Sequence, residues 1–351
     1  MGPDVRAAIL MLFPQSQLVL RNLSDLQGKV LLVEPMADDL AQDLLRAGIT
    51  FSAYCTDAAV AKAFDRASAC YFAARLECQE QFDTVVVFYP KSKEQLAYTL
   101  AELTAVLTST TQVYVVGDNK GGIKSLPAHA EKLGLHAHKL DNAKHCLWFA
   151  LNGLSEKPLP KQDFAKFKLS AITANGEQHL QFCSLPGVFN HGKLDVGTAL
   201  LLKHLGHIET GKVLDFACGA GIIGALLQQQ HPSIDLYATD VCALATAATA
   251  ATFALNQLKG QVRCQDGLSS DLPKFQHIVS NPPFHTGLKT DLSVAELFIT
   301  QCKQHLSTGG TVTLVANAHL PYAQWLQTAF GNVKELARQQ GFVVYSSKFS
   351  G

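Results

Sequence analysis

No two of the nine cysteines stand in a C-x-x-C pair, and their number is odd. That spacing argues against a zinc site and against a disulfide framework, and it fits a reducing cytoplasm. No apolar run approaches the roughly 18 residues that cross a membrane. The opening residues, MGPDVRAAILMLFPQSQ, carry an acid at Asp4 and no small-residue cleavage site, so neither a membrane association nor a signal peptide is expected. Charge of one sign is lacking too: 29 basic residues face 29 acidic ones, and neither half holds a polybasic excess. A nucleic-acid partner would have to be held by a local patch rather than by the global field. Apolar residues, by contrast, make up 48% of the chain against 17% charged. Over 351 residues that is enough for two buried cores and too much for disorder.

What is present in quantity is internal similarity. GKVLLVEP (28–35) returns as GKVLDFAC (211–218), and FDTVVVFYP (82–90) returns as FQHIVSNPP (275–283). TQVYVVGDNKGG (111–122) parallels GTVTLVANAHLP (310–321), and HCLWFA (145–150) parallels FVVYSS (342–347). Each is a β-branched run bounded by Gly or Pro, as buried parallel strands are. Between them lie Ala/Leu-rich stretches of helical spacing, such as DLAQDLLRAGI and AELFITQCKQHL. Alternating strands and helices predict an α/β fold of two tandem doubly wound, Rossmann-like domains, residues 1–151 and 185–351. Residues 152–184 read as linker and lead-in. The lysines there, Lys157, Lys161, Lys166 and Lys168, are either a solvated linker or an RNA contact.

The second copy opens on VLDFACGAGIIG, a strand, then Gly219, Gly221 and Gly224, then a helix from about Ile222. A lone G-x-G-x-x-G is weak, but here acids close three successive strands beside it: Asp215, Asp240 in DLYATD, and Asp266 in QVRCQDGL. Asp240, about 20 residues past the turn, is placed to meet the hydroxyls of an adenosine ribose. Asp266 is placed to accept from an adenine amine. Without a Cβ, Gly219 and Gly221 let a ligand approach the backbone. Each Asp alone is more simply a helix N-cap; the three together point to a nucleoside cofactor.

The segment VSNPPFHTG (279–287) follows the fourth strand. Pro282 and Pro283 fix two φ angles and force Asn281 into an extended conformation, so one amide and one ring are held in fixed relation. An sp² amine is a poor nucleophile because its lone pair is delocalised. Asn281 Oδ1 and the carbonyl of Pro282 can accept from such an NH₂ and localise that lone pair, while Phe284 stacks on the base. A base inside a helix must first be flipped out or already be single-stranded. A dehydrogenase has no use for this clamp; methylation of an exocyclic amine does.

DFACGAGIIG with NPPFHTG resembles class I S-adenosylmethionine-dependent methyltransferases acting on exocyclic amines, and the PPFHTG tail resembles the bacterial ribosomal RNA guanine-N2 methyltransferases. LPGVFNHGKLDVGTALLL (185–202), VVGDNKGGIKS (115–125) and KHCLWF (144–149) extend the resemblance over nearly the whole chain. Its small-subunit family, which methylates guanine 1207 of 16S rRNA, is the best match. The resemblance implies S-adenosyl-L-methionine as cofactor and 16S rRNA, in the 30S subunit, as partner, with the protein a monomer that needs no metal. It implies that Asp195 and Gly197 line the cofactor pocket from above and that Asp215, Gly219 and Gly221 hold its methionine end. Asp240 would take its ribose, Asp266 its adenine, and Asn281, Pro282, Pro283 and Phe284 the guanine. His285 is either an RNA contact or a packed loop histidine. The chain departs from the family at NHGK (190–193), where a Ser-Arg-Asp-Gly type of sequence stands. The first copy reads VEPMADD in place of the glycines and FYPKSK in place of SNPPFH, which implies a degenerate domain that positions RNA or assists folding. The alternatives are a large-subunit counterpart, methylation of a DNA adenine or a glutamine side chain, and a non-catalytic RNA-binding assembly factor.

Overall fold

The computed structural model describes residues 12–283 and 289–351. The chain divides into two compact units, residues 1–162 and 163–351. In the first, β1 (Val30–Val33), β2 (Phe51–Cys55), β3 (Cys70–Phe72), β4 (Thr84–Phe88), β5 (Gln112–Asp118), β6 (His136–Ala143) and β7 (Cys146–Asn152) form one sheet in the order β3-β2-β1-β4-β5-β7-β6. Helices α1 (Pro14–Arg21), α2 (Leu40–Arg46), α3 (Ala58–Ala63), α4 (Lys93–Leu103) and α5 (Leu126–Lys132) connect and cover it. All strands run parallel except β7, which is antiparallel to both neighbours. The central strands VLLV, FSAYC and TVVVF are buried at every position, as a sheet covered on both faces requires.

The second unit begins with a hairpin, β8 (Ala165–Thr173) and β9 (Gly176–Ser184). Its sheet holds β10 (Gly211–Phe216), β11 (Ile234–Asp240), β12 (Gly260–Cys264), β13 (Phe275–Ser280), β14 (Leu306–Asn317), β15 (Lys334–Gln339) and β16 (Phe342–Lys348). The order β12-β11-β10-β13-β14-β16-β15 repeats that of the first unit, again with one reversed strand, β16. The helices are α6 (Val196–Leu202), α7 (Ile222–Gln230), α8 (Ala243–Leu255), α9 (Lys289–His305) and α10 (Tyr322–Phe330). The order in which strands are added reverses between the parallel β10 and β13, so a crevice opens at the C-terminal ends of those strands.

The division falls at 162/163, and this changes the reading of residues 152–184. Asn152 closes β7, and residues 165–184 are a nine-pair hairpin rather than a linker. Phe167, Leu169 and Ala171 alternate with exposed Lys166, Lys168 and Ser170, a period of two that the lysines and two prolines of the wider run had masked. The hairpin is fixed to its own unit: the Cys183 N–H donates to Thr252 Oγ1 at 3.0 Å, and Gln230 Nε2 donates to Thr173 Oγ1 at 2.8 Å. Lys161 instead lies in the first unit, where it and Arg75 pair with the fully buried carboxylate of Glu102.

Candidate active site

At the end of β10 the backbone turns through Ala217 (φ 57°), Gly219 (φ 57°) and Gly221 (φ 75°), three left-handed residues within five, and enters α7. A Cβ on Gly219 would meet nothing within 4 Å, so this position faces open space. Gly221 is different. A Cβ there would lie 2.8 Å from Thr249 Cγ2, so this glycine allows α7 to pack on α8. Of the two glycines expected to admit a ligand, Gly219 faces open space and Gly221 is taken up by packing.

The three acids part company as well. Asp215 has no exposure. Its Oδ2 accepts the Gly224 N–H at 2.9 Å, and its Oδ1 is buried with no partner among the described residues. Burial pushes its pKa up to about 7; the Gly224 hydrogen bond opposes this, and the charge of Asp240 adds to it. Asp215 thus braces the glycine turn from beneath, and the expected contact with a methionine end does not fit its position. Asp240 ends β11, partly exposed, with Oδ2 accepting the Gly219 N–H and Oδ1 the Cys242 N–H, both at 2.9 Å. Asp266 lies two residues beyond β12 and is exposed.

Above the turn, Asp195 caps α6 by accepting the Thr198 N–H at 3.0 Å. The same Oδ2 accepts from Asn281 Nδ2 at 2.9 Å, and Asn281 Nδ2 also donates to Thr198 Oγ1 at 2.9 Å. A carboxylate can only accept, so Asp195 fixes which end of the Asn281 amide is nitrogen. The remaining atom, Asn281 Oδ1, is buried and accepts nothing among the described residues. Asp195 Oδ1 takes a further hydrogen bond from Asn190 Nδ2 at 3.2 Å. Gly197 is buried, its Cβ position 3.1 Å from the Phe342 ring, so it serves packing.

These residues meet around one cavity, whose walls include Asp195, Thr198, Cys218, Gly219, Ile222 and Asn281, with Phe189 and Lys193 also lining it. Pro282 is buried and Pro283 exposed, directly after Asn281. Phe284 and His285 lie outside the described residues. Asp215, Gly197, Gly221, Asp240 and Asp266 are not among the lining residues; the first three work behind the wall, and Asp240 reaches it through Gly219. Sequence reasoning missed Thr198, Phe189 and the bridging role of Asp195. The Asp-x-x-Thr spacing at 195–198 is an N-cap signal and could have suggested the first. The third depends on a contact 86 residues apart and had no local signal.

The residues fit an adenosyl cofactor: an open glycine corner at Gly219, an apolar wall at Ile222, and a partly exposed carboxylate, Asp240, bonded to the Gly219 N–H at that corner. Among the described residues, no group of three or more His, Cys, Asp or Glu is placed to hold a metal, and no helix is long and apolar enough to cross a membrane.

Strand order, glycine turn and an amide clamped beside the open glycine corner define a class I-type methyltransferase fold. Residues 179–346 match the family described as "Methyltransferase small domain" and residues 16–168 its N-terminal domain. The chain is 38% identical over 341 residues to the ribosomal RNA small subunit methyltransferase C of Pseudoalteromonas atlantica, covering 95% of this chain and 99% of that protein. It is 37% identical to the protein of that name from Pseudomonas putida, with the same coverage. A solved structure described as the T. thermophilus 16S rRNA N2 G1207 methyltransferase, in complex with AdoMet and guanosine, aligns with TM-score 0.79 at 24% identity over 96% of this chain and 92% of that one. The chain belongs to the ribosomal RNA small subunit methyltransferase C family.

Proposed function

We propose that the second unit transfers a methyl group from S-adenosyl-L-methionine to the exocyclic N2 amine of a guanine in 16S rRNA, and that guanine 1207 is the target. The observation that carries this reading is Asn281 Oδ1, buried with no partner among the described residues. A buried acceptor without a partner costs about 1–3 kcal/mol, and a cost of that kind is tolerated where a ligand brings the donor. Two hydrogen bonds from its own nitrogen prevent the Asn281 amide from turning to relieve the cost.

When bound, the cofactor supplies an electrophilic methyl group. Gly219 leaves space for it against the backbone, Asp240 is positioned to accept from its ribose, and Asp266 stands at the rim for its adenine. Asn281 Oδ1 accepts one N2 hydrogen of guanine, and the carbonyl of Pro282 is the second acceptor. Together they draw the N2 lone pair out of the ring's conjugation and hold it in line. The amine gains the methyl group and becomes acidic, so its proton leaves to water and no strong side-chain base is required. Asp195 holds Asn281 in register.

The near-balanced charge supports a structured particle as substrate, the 30S subunit, in which RNA folding already presents the base. In this reading the protein acts in the cytoplasm as a monomer with one working site, the first unit being the degenerate copy. The test is transfer of labelled methyl from S-adenosyl-L-methionine onto 16S rRNA, free and within 30S subunits, followed by mapping of the modified base. Label on guanine N2 is the expected result. Cofactor binding without any transfer to RNA would end the proposal.

A further inference from the structure

The geometry points to Phe189 as a stacking platform for the unpaired purine that enters at Asn281, a positioning role on the substrate side of the cavity. Phe189 lines the same cavity as Asn281, yet it is 63% exposed, the highest value among large apolar side chains of the described residues. A phenyl ring exposed at the mouth of the cavity offers an apolar face that a planar ligand entering there would cover, gaining the burial of that area.

The ring does not hang on a loose loop. Asn190, which follows it, is left-handed at φ 49°, a conformation that asparagine tolerates better than most residues, and it turns the chain at this point. The Lys193 N–H returns to the Asn190 carbonyl at 2.8 Å, and Asn190 Nδ2 donates to Asp195 Oδ1 at 3.2 Å. His191 Nδ1 is 2.9 Å from Ser184 Oγ, and its ring meets Phe167 edge-on at 5.3 Å. Gly192 leaves no room for a Cβ beside the Phe167 ring, which would lie 2.6 Å away. Residues 190–193 are thus braced by the β8–β9 hairpin, and His191 belongs to that brace rather than to the substrate.

One carboxylate joins the two ends of this arrangement. Asp195 Oδ1 holds Asn190, and Asp195 Oδ2 holds Asn281. The phenyl ring and the amide acceptor therefore share an anchor and keep a fixed relation. The cofactor's place lies against the glycine turn, whereas an exposed ring at the rim faces a ligand arriving from solvent. An aromatic face suits any base without reading its sequence, and exposed Lys193 on the same rim suits the attached phosphate. This inference rests on the methyl-transfer reading above.

Because Phe189 is exposed, Phe189→Ala leaves the fold intact, which a thermal melt checks. Two measurements on the full chain separate the possibilities. Guanosine is titrated by calorimetry into wild-type and variant proteins saturated with S-adenosylhomocysteine, and kcat and KM are measured for methyl transfer to 30S subunits. Phe189→Ala should weaken guanosine binding and lower kcat/KM for RNA by roughly 5- to 150-fold, the loss typical of one stacked base. Its affinity for S-adenosyl-L-methionine should stay within about twofold of wild type, and Phe189→Trp should restore guanosine binding. Equal guanosine affinity in wild type and Phe189→Ala would overturn the inference, as would a loss confined to cofactor affinity. Absence of transfer by a wild-type protein that still binds guanosine through Phe189 would strike the methyl-transfer reading and leave the platform standing.

Discussion

At the end of the first strand the two units turn the same corner: Glu34 in one has φ 54°, and Ala217 in the other φ 57°. The resemblance extends to the opposite ends of the strands. The Lys29 N–H donates to Asp83 at 2.8 Å and the Lys212 N–H to Gln276 at 2.6 Å, and Gly28 and Gly211, each left-handed, make room for those side chains. Around the corner itself the units diverge. Glu34 turns its own carboxyl inward to accept the Thr56 N–H at 3.2 Å. Met36 and Asp38 stand where Gly219 and Gly221 stand in the repeat, and Asp38 is spent on the backbone N–H groups of Phe13 and Leu40. By strand register, buried Phe88 occupies the place of Asn281. The first unit fills its crevice with its own side chains, and the second keeps one acceptor and one glycine open. A sheet of this topology thus needs only its strand starts and core to persist, while chemistry resides in a few residues at the strand ends.

The largest test of this contrast removes the acceptor. Asn281→Ala should lower kcat about 10²–10³-fold, the cost typical of losing one preorganised hydrogen-bonding group, with the calorimetric affinity for S-adenosyl-L-methionine little changed. Full activity in that variant would remove the clamp from the mechanism. Next, the first unit's residue can be moved into the second. Gly219→Met should abolish measurable cofactor binding by placing a side chain in the open corner, while lowering stability by only about 1–2 kcal/mol for the left-handed φ. Gly221→Ala should act the other way round, with a loss of about 1–3 kcal/mol in chemical denaturation from crowding Thr249.

A smaller effect concerns pH. Burial raises both Glu34 and Asp215 to about 7. In the unfolded chain these groups ionise near their usual values, about 4, so between pH 4 and 7 the folded state holds protons that the unfolded state has released. Each acid therefore makes stability fall as pH rises through that window, levelling off above 7. Glu34→Gln and Asp215→Asn should each flatten this slope, by up to about 4 kcal/mol over the window. Urea denaturation at several pH values measures it, and an unchanged slope would show that the carboxyl is ionised throughout. Smallest is the hairpin. Charge reversal at exposed Lys166 and Lys168 should raise KM for RNA a few-fold at low salt and less at high salt, deciding between a solvated face and an RNA contact.

The repeat, the strand–helix alternation and the glycine turn were legible because they rest on local patterns: β-branched runs, glycines and two prolines. The same patterns singled out Asp240, Gly219 and Asn281 as candidates, and the structure places Gly219 and Asn281 on one cavity with Asp240 bonded to Gly219. Asp215 could not be read correctly, because an acid at a strand end looks alike whether it faces a cavity or the amide of a glycine nine residues on. Asp195 lines the cavity, but its bridging of Asn190 and Asn281, at very different separations, had no local signal. Local capping and long-range bracing use the same oxygen atoms, and sequence spacing reports only the first.

The pinned amide of Asn281 also gives the molecule a reporter. Both of its hydrogens are committed, one to Asp195 and one to Thr198, so in a nitrogen-15 spectrum this side chain should stand apart from solvent-averaged asparagines and exchange its protons slowly. Phe88 at the matching place in the first unit carries no such group. A single pair of resonances can therefore follow docking of a nucleobase in real time, without a turnover and without a label on the RNA.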